Sequence, residues 1–343
     1  MKNMFKIGKN LNVQGIMHNI MIKIDLKDRQ ILYELDYNSR QSLTRIGKKV
    51  GLHKNVVAYR IKKLQQQDII KNFYTVIDSF KLGYNSLRFY ITYRHMKPDI
   101  RNEIIDYFVN NKYSWWVGSF EGLYNLAVVM WLRDIHDFYV FWEETLKRYH
   151  RYFQHQIFSN YVQLRLYRHT FLMGDKYNVS DREKYEITGG GRTVDTDELD
   201  FQILELLAKD SRIPTIDLAT KVHSTVDTVK NRIKRLTKLD VIQAFRVNID
   251  YLSLGYHLYK VNVDLNNYSD RGRIINYIRY NPHLIMIDKS IGYHDLELDF
   301  MLTDLKQLHD IMDDLTVKFP EDIRNYSYAN DPVVHKMIYI PEE

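Results

Sequence analysis

Cysteine is absent from all 343 residues. That excludes disulfides, thiolate metal sites, cysteine nucleophiles and zinc fingers built on cysteine, and it fits a reducing compartment. Long apolar runs are missing as well. No stretch approaches the roughly 18 uninterrupted apolar residues of a membrane span. The basic opening "MKNMFKIGKNLNVQGIMHNIMIKI" is interrupted by Gln14, His18 and Asn19, so it reads poorly as a secretory leader. A cytoplasmic chain with no membrane partner is the expectation. Catalytic fingerprints are also wanting: no His-Glu-x-x-His, Gly-x-Ser-x-Gly or dinucleotide-binding pattern occurs, and the 13 histidines are scattered. His150 and His155 lie five apart, off a single helix face, which argues against a metal pair. Gly189, Gly190 and Gly191 are not followed by Lys-Ser/Thr, so they do not read as a phosphate cradle. The sequence therefore assigns no catalytic residue, no metal and no cofactor, and an enzyme is not expected.

What is present is an ordinary globular composition, 45% hydrophobic, in a chain long enough for two to four domains. The 27 tyrosines accompany many Asn, Ile and Lys residues and read as compositional bias rather than a stacking surface. The net charge of +6 conceals an asymmetry. Residues 1–172 carry 27 Lys+Arg against 14 Asp+Glu, and the remainder carries 22 against 29, so the halves stand at +13 and −7. A polyanion would meet the first half.

The chain also repeats itself. Residues 24–84 align without a gap on 196–256 with 23 identities in 61 positions. "DLKDRQILYELDYNSR" faces "DELDFQILELLAKDSR", "YRIKKLQQQDII" faces "NRIKRLTKLDVI", and "LGY" recurs at 82–84 and 254–256. Downstream, "GLYNLAVVMWL" (122–132) faces "GYHDLELDFML" (292–302) after a net shift of two residues.

Each repeat opens on three helices. Asp25 and Asp197 can cap the first, whose Leu26, Ile31, Leu32 and Leu35 (Leu199, Ile203, Leu204, Leu207) recur at helical spacing. A short second helix falls at 42–52 and 214–224. The third turns Val57, Ile61 and Leu64 (Val229, Ile233, Leu236) inward. Three short helices with a tight turn before the last make the helix-turn-helix plan. "IIKNFYTVID" (69–78) and "VIQAFRVNID" (241–250) follow as wing or connector strands. Repeat A then gives strand 86–95, helix 99–111, strands 113–120 and 124–132, helix 135–149 and strand 157–171. Repeat B gives 257–265, 270–280, 284–290, 295–302, 304–318 and 323–329 in the same order. The βαββαβ order predicts a ferredoxin-like sandwich whose open sheet face wants a partner. The fold class is thus α+β, two tandem units, each a winged helix-turn-helix followed by a βαββαβ ferredoxin-like domain. The boundaries run 1–23 (basic extension), 24–80 (helix-turn-helix A), 81–173 (ferredoxin-like A), 174–195 (a polar, flexible linker), 196–252 (helix-turn-helix B) and 253–343 (ferredoxin-like B).

The first-helix pattern ending in Ser-Arg, "RIKKL…DII" and "RIKRL…DVI" at the third helix, "LGY", and the glycine turns at 122 and 292 together resemble the Lrp/AsnC (leucine-responsive, feast/famine) transcription regulators. The resemblance covers almost the whole chain twice. It implies a DNA-binding winged helix-turn-helix and an effector and dimerisation domain of the RAM type, with sheets packed face to face and amino acids or related metabolites bound at turns between dimers. A single-chain tandem departs from the usual one-unit form. It implies an intrachain pseudo-dimer of the two units, open to further homo-oligomerisation. Other departures are Asp68 and Asp240 where the family has Gly after the third helix, and His53 and Thr225 where it has Ser at that helix's start. At the turn where the family has Gly-x-x-Asp, repeat B keeps Gly292 and Asp295, whereas repeat A has Gly122 and Asn125. These four residues are the effector-binding candidates that the resemblance implies.

Double-stranded DNA is the partner expected of such a module, with bases met by the N-terminal part of the third helix. Repeat A offers His53, Lys54, Asn55 and Tyr59 there, then Arg60, Lys62 and Lys63. Asn55 suits adenine and Lys54 guanine. Repeat B offers Thr225, Lys230, Asn231, Arg232 and Lys234, with Asp227 at the groove end. For Arg60 and Arg232 an internal ion pair competes evenly with phosphate contact. The aligned windows hold 12 basic and 6 acidic residues in A but 9 and 9 in B, so module A should bind DNA more strongly. Two other functions stay open: an enzyme like the sirohaem decarboxylases, which resemble the same paired unit, and an effector-binding scaffold that no longer reads DNA.

Overall fold

The computed structural model describes residues 21–341, so nearly all of the basic extension 1–23 lies outside the described residues. Unit A opens with α1 (Leu26–Tyr37), α2 (Leu43–Val50) and α3 (Lys54–Gln66). Asp25 and Ser42 cap the first two by accepting the amides of Asp28 and Arg45. Ile31, Leu32, Leu35, Ile46 and Val57 are fully buried where the three helices meet, and each such side chain contributes about 1.5–3 kcal/mol. Strand β1 (Ile70–Ile77) follows. Then come β2 (Asn85–Tyr93), α4 (Pro98–Val109), β3 (Ser114–Glu121), β4 (Leu126–Leu132), α5 (Ile135–Tyr149), β5 (Phe153–Tyr167) and a short β6 (Tyr185–Thr188). Unit B repeats the plan with α6 (Glu198–Lys209), α7 (Thr215–Lys221), α8 (Val226–Lys238), β7 (Ile242–Ile249), β8 (His257–Leu265), α9 (Arg271–Ile278), β9 (Leu284–Ile291), β10 (Leu296–Leu302), α10 (Leu305–Lys318) and β11 (Ile323–Met337).

The strands that follow the third helices join the units. β1 and β7 pair antiparallel, from Ile70 opposite Ile249 to Ile77 opposite Ile242. The "Ser-Arg" shared by both repeats sits at this junction. Ser39 and Ser211 are fully buried with their hydroxyls 2.6 Å apart; Arg40 donates to the Ser211 carbonyl at 2.6 Å, and Arg212 donates reciprocally to that of Ser39. The duplicated motif is therefore the near-symmetric contact between the two modules.

Within each ferredoxin-like domain the strand orders are β5-β2-β4-β3 and β11-β8-β10-β9. The 15-residue strands β5 and β11 run beyond their own sheets. Leu164 of β5 pairs with Asp288 of β9, and Val334 of β11 pairs with Gly118 of β3, so eight strands close into a ring. The open sheet face of each unit thus finds its partner in the other. β11 extends to Met337 rather than ending near 329 because its second half is defined by a strand of the opposite unit. On the outer faces, Phe89 and Val128 pack on Phe108 and Phe138 of the unit A helices, and Leu298 and Phe300 on Ile274 and Met312 of unit B.

Residues 174–195 differ from the flexible linker expected of their composition. β6 pairs with β5 (Leu164 opposite Thr188, Tyr167 opposite Tyr185), and the Gly189 amide donates to Asp78 at 3.0 Å. Arg182 is fully buried and donates to the carbonyls of Arg279 (2.9 Å), Arg168 (3.0 Å) and Leu284 (2.8 Å). Polar composition conceals this because the arginine's donors are matched by backbone carbonyls distant in sequence.

Candidate nucleic-acid interface and effector turns

The α3 face is set by its own cap. His53 has extended backbone, and its Nδ1 accepts the Asn55 amide at 3.3 Å, so the imidazole does the capping that serine does elsewhere; Thr225 caps α8 through the Thr228 amide at 3.1 Å. Asp68 and Asp240 end the helices with φ of 56° and 54°, the left-handed conformation for which glycine is the usual choice. Beyond α2, Gly51 takes φ 68°, and the aligned His223 takes φ 50° despite its side chain.

His53, Lys54, Asn55, Tyr59, Lys62 and Lys63 are all exposed on one helix, with Tyr59 at 68%. α3 contains no acidic residue, and no described carboxylate forms a salt bridge with Lys54, Lys62 or Lys63. Arg60 is placed otherwise. It binds Asp25 at 2.7 Å and Asp28 at 2.8 Å, and these contacts raise its pKa still further; it pins α3 to the start of α1. Thr225, Lys230, Asn231 and Lys234 are likewise exposed on α8. There Asp227 stands 3.6 Å from Lys230, Arg232 is held by Asp197 (2.7 Å) and Asp200 (3.2 Å), and Arg235 is held by Asp200 (2.7 Å). Lys63, which aligns with Arg235, has no such tether. Of the twelve DNA-contact candidates, Arg60 and Arg232 are thus occupied as anchors, the ion-pair alternative left open by the sequence.

The effector candidates lie at the two hairpin turns, β3–β4 and β9–β10. Gly122 and Gly292 take φ of 109° and 100°, which L side chains resist. Asn125 accepts the Tyr93 amide at 2.8 Å, and Asp295 accepts the Leu265 amide at 2.8 Å. Both side chains terminate the neighbouring strand, so the Asn-for-Asp difference changes charge but not this structural role. The turns are separately placed, each against the opposite unit: Glu121 pairs with Asn330 of β11, and a Cβ on Gly292 would stand 3.1 Å from the Phe158 carbonyl.

Sequence reading missed a third feature. Arg88, Lys260, Asp288, Glu297 and Asp299 point into the strand ring and are at most 7% exposed. Arg88 grips Glu297 with two bonds of 2.6 and 2.7 Å; Lys260 reaches Asp288 at 2.7 Å, Glu297 at 3.1 Å and Asp299 at 3.3 Å. Burial works against ionising Glu297, but Arg88 and Lys260 hold its pKa well below the usual carboxylate range. The available signal was alternation: "LRFYI", "YKVNV" and "LELDF" place Arg88 and Tyr90, Lys260 and Asn262, and Glu297 and Asp299 at alternate positions between residues that face helices.

Residues 24–65 match the AsnC-type helix-turn-helix domain, and residues 196–243 match a winged helix-turn-helix DNA-binding model. An HTH-type transcriptional regulator of Pyrococcus furiosus is 45% identical over 65 residues, 19% of this chain and 44% of that protein. The regulator LrpB of Bacillus subtilis is 40% identical over 60 residues, 18% of this chain and 40% of that protein. The chain thus spans less than half the length of these relatives. A regulator of Pyrococcus abyssi is 30% identical over 123 residues, 36% of this chain and 83% of that protein. Among solved structures, the sirohaem decarboxylase NirDL matches with a TM-score of 0.60 over 92% of this chain and 94% of that one. At 10% identity that likeness concerns the fold alone. The chain belongs to the Lrp/AsnC family of HTH-type transcriptional regulators, with a helix-turn-helix in each half.

Proposed function

We propose that this chain is a sequence-specific DNA-binding transcriptional regulator in which α3 is the principal reader of the major groove and α8 a weaker or subordinate one. The observation that carries the reading is the acid-free exposed face of α3, where Lys54, Lys62 and Lys63 stand untethered beside Asn55 and Tyr59. Lys62 and Lys63 take phosphates, Lys54 and Asn55 take base edges, and Arg60 and Arg232 keep the helices in place. The turns at Gly122–Asn125 and Gly292–Asp295 are the places for an amino-acid or related effector. The chain works in the cytoplasm as an intrachain pseudo-dimer, open to further homo-oligomerisation.

Footprinting on genomic DNA with and without amino acids tests it. A protected operator whose affinity falls steeply with salt supports the proposal, and salt-insensitive or absent protection overturns it. A second reading, an enzyme acting on a tetrapyrrole, is favoured only by the fold shared with NirDL, one of whose structures holds an iron-uroporphyrin III analogue. Haem titration separates the two: a Soret band that saturates at one equivalent supports the enzyme.

A further inference from the structure

The strand ring encloses a cavity of about 230 Å³ that reaches to the β1–β7 ribbon. Its wall is aromatic, with Tyr90, Trp115, Trp116 and Tyr161 among the lining residues, and charged groups meet it from two sides. On one side Arg88 and Lys260 stand against Asp288, Glu297 and Asp299, two cations for three acids. On the other, Arg246 stands against Asp36 (3.7 Å) and Glu186 (2.5 Å), one cation for two acids. His169, also in the wall, does not supply the missing charge: its burial, with Arg246 and Arg182 nearby, lowers its pKa to about 4 although Asp36 opposes this. Each cluster is formally one positive charge short.

We propose that this cavity binds a small organic cation, a primary amine on an aromatic or branched aliphatic body, with Asp299 as the partner of its ammonium group. Asp299 accepts a single hydrogen bond among the described residues, from Lys260 at 3.3 Å, and faces the cavity. One further polar atom in the wall suits an ammonium donor: the Tyr90 hydroxyl, on a side chain 1% exposed, is buried without a hydrogen bond among the described residues. Orphaned groups of this kind are costly unless something occupies the space beside them. The rings of Tyr90 and Tyr161 already lie 4.9 and 4.3 Å from the Arg88 guanidinium, so the wall suits cations. Burial, with Asp288 and Glu297 adding to it, pushes Asp299 up to about 7 against the pull of Lys260.

The acids are not a symmetric brace of the ring. Arg88 and Lys260 occupy equivalent positions in the two repeats, but Asp288, Glu297 and Asp299 align with Gly118, Ala127 and Val129 of unit A. Within the ring itself, unit B alone supplies the acids. A buried ion cluster seldom stabilises a fold more than apolar packing of the same volume would, so its position beside an open cavity needs another reason. The wall also touches the helix-turn-helix side, because Arg246 and His169 both hold Asp36 at the end of α1. That an occupant tunes DNA binding rests on α3 being a DNA reader; occupancy of the cavity does not.

Intrinsic tryptophan fluorescence of the full chain, to which Trp115 and Trp116 in the wall contribute, follows binding, and calorimetry measures it directly. The probes are phenethylamine and isopentylamine, each against its alcohol and carboxylic acid counterparts. At least one amine should bind at least about tenfold more tightly than both of its counterparts, and Asp299→Asn should remove that preference. Equal binding of the alcohol or the acid, or no saturable signal from either amine at millimolar concentration, overturns the proposal. If Asp299→Asn does not fold, the comparison of probes on the wild-type chain still decides. Footprinting with the bound amine is a separate measurement, so loss of the DNA reading leaves the binding result standing.

Discussion

Arg60→Met separates an anchoring role from a DNA-contacting one. In module A the buried carboxylate of Asp28 has Arg60 as its cation, and the Asp28 side chain is 7% exposed against 24% for Arg60. Removing a charged partner from a buried acceptor costs roughly 1–3 kcal/mol or more, here toward the lower end because Arg60 is partly solvated. Module B is built with a spare. Asp200 is fully buried but binds Arg235 at 2.7 Å as well as Arg232 at 3.2 Å, so Arg232→Met leaves a close cation in place and should cost less than about 1 kcal/mol. Hydrogen exchange of the α1 and α6 amides reads each module separately, which a global melt of this chain would not. Arg60→Met should accelerate α1 exchange several-fold more than Arg232→Met accelerates that of α6, since about 1 kcal/mol is a factor of about five. Equal acceleration in both refutes the assignment. So does unchanged α1 exchange with a salt slope of DNA binding reduced by about 0.9, the signature of a lost phosphate contact.

Three further outcomes are expected. Lys62→Ala/Lys63→Ala should weaken all DNA and reduce the salt slope by about 1.8, whereas Lys54→Ala/Asn55→Ala should relax sequence preference; footprint titrations at several salt concentrations compare them, and equal behaviour would sink the division of roles. Burial holds the His169 pKa down to about 4 from the ordinary 6.5, so its contribution to stability is present above pH 6.5 and lost as pH falls toward 4; urea unfolding across that range should be less acid-sensitive in His169→Gln than in the wild type, and parallel profiles would count against this. Arg88→Met leaves Glu297 fully buried with Lys260 as its cation and should cost about 3–5 kcal/mol in denaturant unfolding, a loss under about 1 kcal/mol contradicting the network.

The sequence carried a great deal of the fold because its signals are local. The helical spacing of Ile31, Leu32 and Leu35, the caps at Asp25 and Asp197, and the order of apolar strands and amphipathic helices each depend on residues a few positions apart. Duplication doubled each of these signals. The exposed face of α3 was legible for the same reason, since helical geometry fixes which side chains point outward. What was not legible depends on which surface meets which. Whether Arg60 pairs with Asp25 and Asp28 or with phosphate depends on the approach of α3 to α1. Arg182 reads as one more polar linker residue until three backbone carbonyls surround it. Alternating charges on strands normally mark a solvated face, and only the second sheet makes Arg88, Lys260, Glu297 and Asp299 buried.

By itself, then, the sequence determined two copies of a helix-turn-helix and a βαββαβ domain, and a cationic third helix in the first copy. Periodicity, capping and charge are properties of neighbouring residues, and they survive without knowledge of the whole. Tertiary structure decided how the copies meet: the β1–β7 ribbon, the Ser39–Ser211 junction, the closed eight-strand ring and the charged cavity inside it. These rest on backbone pairing between strands more than a hundred residues apart, and such pairing is sequence-blind until the surfaces are brought together.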